Sequence, residues 1–181
     1  MESIPLPTLK ELHAKQKEFY QELKNKPLAF RIERLKKLKQ QLSDREAEIL
    51  EALHSDLGKS DFEGYTSEIL MVHKELDLFI KNLKYWTAPK RVAGSLLNFP
   101  SQDYILSESY GSVLMISPWN YPFQLSMIPL IGAVAAGNTV VLKPSEFAPN
   151  SSKILIELLE AVFEEDWIKV IEGDALIAQD L

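Results

Sequence analysis

The sequence predicts an α/β fold in which amino-terminal helices lead into a partial, doubly wound parallel sheet of the Rossmann-like kind. Three observations carry this. Short apolar runs without alternation stand at 112–117, 139–142 and 168–171, the pattern of strands buried on both faces of a parallel sheet. Helical segments separate them: Phe123 to Ala136 is apolar nearly all round, and Ile154, Leu155, Leu158, Leu159 and Val162 recur at i, i+3, i+4 spacing. Before the first run, out to residue 90, the apolar pattern is helical throughout.

The helical part reads as four elements. Leu9, Leu12, Phe19 and Leu23 repeat at helical spacing until Lys26-Pro27 ends the first helix. The second carries Leu28, Ile32, Leu35, Leu38 and Leu42 on one side, with Arg31, Arg34, Lys36, Lys37 and Lys39 interleaved. Glu33 dilutes that basic run, so a solvated helix face is expected rather than a membrane or acidic-partner surface. Ser43 and Glu46 have the spacing of a capping box for a third helix, with Ala47, Leu50, Leu53 and Leu57 inward and Gly58 as its stop. Ser60 and Glu63 repeat the device. The helix that follows places Tyr65, Ile69, Val72, Leu76, Phe79, Leu83 and Trp86 in a narrow seam, which packs within the chain or on another subunit. Pro89 and residues 91–100, with Gly94, read as a connector, and 103–109 alternates as a half-exposed strand does.

The stretch from Gly111 to Phe147 organises the rest. A first strand runs into the turn Pro118-Trp119-Asn120-Tyr121-Pro122, then the apolar helix, the helix stop Gly137-Asn138, and a second strand. Strand, helix and strand within about 30 residues form a right-handed βαβ unit, whose two strand-end loops lie side by side at one edge of the sheet. Those loops carry Asn120, Lys143, Ser145 and Glu146, at the place where ligands bind in open α/β sheets. Pro149-Asn150-Ser151 caps the next helix, and after the third strand Glu172-Gly173-Asp174 turns the chain into another.

Composition narrows the function. The 181 residues are 46% hydrophobic, enough for a core, and the net charge of −6 with no basic stripe argues against a nucleic-acid partner. There are no cysteines, so the chain itself supplies no disulfide, thiolate metal site or cysteine nucleophile. His13, His54 and His73 each stand without a second ligand at i+4, so no metal site is expected. No signal-peptide pattern opens the sequence and the longest apolar stretch, 125–136, is too short to span a bilayer. A cytoplasmic location is the expectation.

Residue by residue, the chemistry leaves alternatives open. Asn120 reads as a turn residue between two prolines or as an amide that donates to an oxyanion on a bound carbonyl. Trp119 reads as a packing tryptophan. Residues Lys143 to Glu146 are a charged loop, or a site where the acid accepts bonds from ribose hydroxyls and the lysine meets a hydroxyl or phosphate.

The PWNYPF turn at 118–123, the AAGNTVVLKPSE run at 135–146 and the Glu172-Gly173-Asp174 turn together resemble the start of the cofactor domain in the aldehyde dehydrogenase superfamily, above all its shorter-chain class 3 branch. The resemblance implies an aldehyde dehydrogenase fold, truncated. Residues 1–90 would be the amino-terminal helical part, 91–110 the connector and bridging strand that mediates oligomer contacts, and 111–181 the first half of an NAD(P)-binding domain, with the catalytic domain absent. It implies that Asn120 helps form the oxyanion hole for a thiohemiacetal, that Ile116, Trp119 and Asn120 line the cofactor pocket, and that Lys143, Ser145 and Glu146 contact the cofactor. NAD is expected to be preferred and NADP tolerated, because Glu146 repels a 2′-phosphate while Lys143 and Ser145 accommodate one. The first turn has no glycine fingerprint. In the resembling family the glycine-bearing phosphate loop follows a fourth strand. The implied whole is a homodimeric enzyme that oxidises aldehydes through a cysteine thiohemiacetal, of which this chain alone would be inactive. The competing expectation is a noncatalytic interaction or nucleotide-binding module.

Overall fold

The computed structural model describes residues 6–94, 97 and 99–181. Residues 1–5 of the opening stretch, and residues 95, 96 and 98 of the expected connector, lie outside the described residues. Five helical stretches come first: α1 (Leu6–Asn25), α2 (Leu28–Asp44), α3 (Glu46–Leu57), α4 (Asp61–Gly64) and α5 (Leu70–Trp86). A π-helical turn over Tyr65–Ile69 joins α4 to α5, and helical backbone at Gly64, Tyr65, Ile69 and Leu70 makes Asp61 to Trp86 one continuous rod. Two short strands, β1 (Lys90–Val92) and β2 (Asp103–Ile105), pair antiparallel, Arg91 opposite Tyr104. Then follow β3 (Ser112–Ile116), α6 (Gln124–Ala136), β4 (Thr139–Lys143), α7 (Pro149–Glu160), β5 (Ile168–Val170) and α8 (Ala175–Asp180).

The larger sheet is parallel, in the order β3-β4-β5, with Ile116 opposite Lys143 and Leu142 opposite Val170. Helix α6 packs on β3 and β4 and α7 on β5, while α2, α3 and α5 pack outside those two helices. Residues from both parts build one core: Leu35, Leu38, Leu42, Ile69, Val72 and Leu76 join Phe123, Leu130, Val140, Leu142, Leu155 and Trp167, all buried. The seam of α5 therefore packs within the chain. Trp167 locks the end of the sheet, its ring stacked on Phe30 at 5.6 Å and edge-on to Phe163 at 5.1 Å, and its indole N–H donates to the Asn138 carbonyl at 3.0 Å.

Several expectations need correction. Ser43 and Glu46 form no capping box: Ser43 Oγ donates back to the Lys39 carbonyl, and α2 runs to Asp44 so that Arg45, without a side-chain cap, is the hinge to α3. The inward face of α3 is Ile49, Ala52 and Leu53, with Leu50 half-buried against the core; Leu53 is inward as expected, but Ala47 is exposed and Leu57 only half-buried, because α7 packs against the Ile49–Ala52 side of the helix. The Ser60–Glu63 cap is present, with Ser60 Oγ accepting from the Glu63 N–H. Helix α7 is capped from outside: the Asp56 carboxylate accepts from the backbone N–H of Asn150 at 3.1 Å and of Ser151 at 2.7 Å. Arg91 and Val92 of the expected connector form a strand with Lys90, and its partner covers only 103–105 of the expected 103–109.

Two of the basic residues on α2 are structural. Arg31 donates to the Ala135 carbonyl at 2.6 Å and Arg34 to the Val162 carbonyl at 2.5 Å, so both satisfy carbonyls at helix ends that water would otherwise take. The expectation of burial on both faces holds for β4, where Val140 and Leu142 are buried on one face and Thr139 and Lys143 on the other, but fails for β3. Leu114 and Ile116 are 44% and 54% exposed, because β3 is the sheet edge and α1 covers that face only in part.

Candidate active site

The parallel register brings the two loops of interest together. Ile116 pairs with Lys143, and the Ser117 N–H donates to the Lys143 carbonyl at 3.0 Å, so the turn carrying Trp119 and Asn120 leaves the sheet beside the loop carrying Ser145 and Glu146. The Ile171 N–H donates to the Leu142 carbonyl at 2.8 Å, which sets the Glu172-Gly173-Asp174 turn on the other side of that loop. Pro144, Ser145, Glu146, Pro149, Ser152, Glu172 and Gly173 line a small cleft there. Gly173 is required by close approach: a Cβ at that position would stand 2.4 Å from Ile177 Cγ1. A wider concavity lies away from the strand ends, between α1 and the open face of β3 and β4.

Ile116, Trp119 and Asn120 are exposed at this edge. Lys143 is different. Its ammonium is buried and donates to the Pro144 carbonyl at 3.1 Å and to Glu146 Oε2 at 3.0 Å, so lysine and acid form one unit across the turn. A hydrogen bond from its own backbone N–H, and then the Lys143 ammonium, hold the Glu146 carboxyl below the usual carboxylate range. Ser145 Oγ accepts from the Phe147 N–H at 3.3 Å and the Ser145 carbonyl accepts from Ser152 Oγ, which ties this loop to the first turn of α7.

The sequence reading missed what holds the first turn. Glu68, in the π-helical turn, is fully buried, and its Oε2 accepts from the backbone N–H groups of Phe123 at 2.8 Å and Gln124 at 3.1 Å. Its Oε1 pairs with Lys59, whose ammonium also donates to the Asn120 carbonyl at 3.3 Å and sits 4.1 Å above the Tyr121 ring centroid. A legible signal existed: Glu68 falls three residues after Tyr65 and four before Val72, on the apolar stripe itself. Among the described residues no group of three His, Cys, Asp or Glu is arranged to hold a metal.

Residues 8–181 match the model of the aldehyde dehydrogenase family. The chain belongs to that family. Among curated proteins, 4,4′-diaponeurosporen-aldehyde dehydrogenase of Staphylococcus aureus (strain NCTC 8325 / PS 47) is 46% identical over 157 residues, 87% of this chain and 34% of the relative. Aldehyde dehydrogenase family 3 member H1 of Arabidopsis thaliana is 46% identical over 144 residues, 80% of this chain and 30% of the relative. A solved structure of Staphylococcus aureus AldH in a substrate-bound state superposes with a TM-score of 0.90 at 43% identity, covering 94% of this chain and 37% of that one. The chain thus spans about a third of the length of the aldehyde dehydrogenases it matches. The fold is that of the family, and the class 3 resemblance agrees with the family 3 relative. Among the described residues no helix is long and apolar enough to cross a membrane.

Proposed function

We propose that this chain is the amino-terminal, cofactor-domain portion of an NAD(P)-dependent aldehyde dehydrogenase, and that residues 111–181 form the first half of its cofactor-binding domain. The observation that carries this is the pairing of the Asn120 turn with the Lys143–Glu146 loop at the carboxyl edge of β3 and β4 in a member of the family. A cofactor at this edge fits the residues present. Glu146, kept ionised by its partners, accepts from adenine-ribose hydroxyls; Lys143 meets a hydroxyl or phosphate; Ser145 sits beside them; Ile116 and Trp119 supply apolar wall. NAD, when bound, supplies the hydride acceptor. The carboxylate beside the 2′-position favours NAD, with NADP tolerated. Residues 91–110 serve as bridge in a homodimer, and the whole protein works in the cytoplasm.

The chain's own contribution to the chemistry is the Asn120 amide. It donates to the oxygen that becomes negative when a nucleophile adds to the aldehyde carbonyl. This chain contains no cysteine, so the nucleophile belongs to sequence beyond it and the isolated chain does not oxidise aldehydes. The test uses protein expressed from the complete coding sequence, with NADH formation followed as an aldehyde is supplied. Asn120→Ala is expected to lower kcat by roughly 10²-fold or more with NAD affinity nearly intact. A loss confined to cofactor binding would move Asn120 out of the oxyanion role.

A further inference from the structure

We infer that Lys59 and Glu68 act as a clamp that positions the Asn120 amide, so that both are positioning residues for aldehyde oxidation although neither touches the reacting atoms. The inference rests on the oxyanion role proposed for Asn120.

The clamp grips the turn on both sides of Tyr121-Pro122. Upstream, the Lys59 ammonium donates to the Asn120 carbonyl at 3.3 Å and lies over the Tyr121 ring at 4.1 Å. Downstream, Glu68 Oε2 takes the first backbone N–H groups of the apolar helix, from Phe123 and Gln124, where a carboxylate also complements the helix dipole. The Lys59–Glu68 ion pair joins the two grips, with side chains 8% and 0% exposed. Asn120 itself is exposed at the sheet edge, so the direction of its amide depends on the backbone that these two residues hold. Lys59 is set by its place just after the Gly58 stop of α3, where its own carbonyl contacts His54 Nδ1 at 3.0 Å. Glu68 is turned inward on the π-helical turn.

Stability alone is a weak reason for such a pair, because replacing a buried ion pair by apolar groups is often neutral or stabilising. Geometry is a stronger one. A donor misplaced by about 1 Å costs on the order of 10²-fold in rate.

The test measures kcat, NAD affinity and the thermal midpoint of the protein expressed from the complete coding sequence. Lys59→Met and Glu68→Gln are each made in the wild type and in Asn120→Ala. Each single change is expected to lower kcat by about 10-fold or more with NAD affinity unchanged. In the Asn120→Ala background neither change takes away much further, because the amide through which it acts is already gone. A purely structural role predicts the opposite, losses that multiply. Wild-type kcat in both single variants, or fully multiplicative losses, would overturn the clamp while leaving the oxyanion role standing. Unchanged kcat in Asn120→Ala itself would overturn both. Should Lys59→Met fail to fold, Glu68→Gln, which keeps the side-chain shape, carries the same comparison.

Discussion

Asn138 offers a sharp test of how the site is held, because its side chain bridges two elements that the sequence leaves unconnected. Its Oδ1 accepts from the Gly111 N–H at 2.9 Å, its Nδ2 donates to the Ala133 carbonyl at 3.1 Å, and its backbone carbonyl receives the Trp167 indole. Asn138→Ala removes the first two bonds and keeps the third. Gly111 is buried, so its N–H is left without a partner, at about 1–3 kcal/mol. The Ala133 carbonyl still accepts from the Asn138 N–H, so the second loss lies near the lower end of the range for one net hydrogen bond, about 0.5 kcal/mol. Together these predict a loss of roughly 1.5–3.5 kcal/mol, read as the shift in a urea unfolding midpoint at constant slope. Asn138→Asp separates the two bonds. It keeps the acceptor for Gly111 but turns a second carboxylate oxygen toward the Ala133 carbonyl. Burial and that carbonyl raise the new carboxyl's pKa in the folded state, so the folded state binds the extra proton and the defect should shrink as pH falls. A loss below about 0.5 kcal/mol in Asn138→Ala, or an Asn138→Asp defect that grows on acidification, would refute this reasoning.

Two further outcomes follow from single groups. Glu146→Gln in the full-length protein should narrow the preference for NAD over NADP, measured as the ratio of kcat/KM values, since it removes the charge facing a 2′-phosphate; an unchanged ratio counts against the assignment. His73 titrates below its ordinary value of 6.5, first because burial disfavours its charged form and then because Lys39 lies nearby. The unfolded chain therefore binds this proton more readily, and the stability His73 contributes is fully present above about pH 6.5 and declines below it. His73→Gln should flatten the fall in stability just below pH 6.5, and an unaltered slope there would show that other groups carry it.

The parallel sheet was the most legible part of the chain, because the Thr139 to Leu142 run and the all-round apolar helix before it admit few other placements. Loop adjacency followed from the βαβ connection, which sets the turn carrying Asn120 next to the loop that follows Lys143. Less legible were contacts made between distant segments. Asp56 caps α7 from more than ninety residues away, where Asn150 and Ser151 read locally as their own cap. Arg31 and Arg34 read as solvated because periodicity shows which side of a helix is polar but not which carbonyls stand opposite it. Glu68 was passed over for a different reason. An acid on an apolar stripe is costly until paired, and its partners, Lys59 and the amino end of α6, come from segments that only the tertiary fold brings together.

In the proposed function the loop after β4 makes the polar contacts to the cofactor, while Asn120, on the turn after β3, acts on the carbonyl. The direct measurement is NAD binding by equilibrium titration of the full-length protein, comparing Lys143→Met with Asn120→Ala. Losing a charge-assisted hydrogen bond is worth about 1.5–3 kcal/mol, so Lys143→Met should raise the Kd by roughly 10-fold or more while Asn120→Ala leaves it near the wild-type value. An unchanged Kd in Lys143→Met, or an equal rise in both variants, would contradict that division.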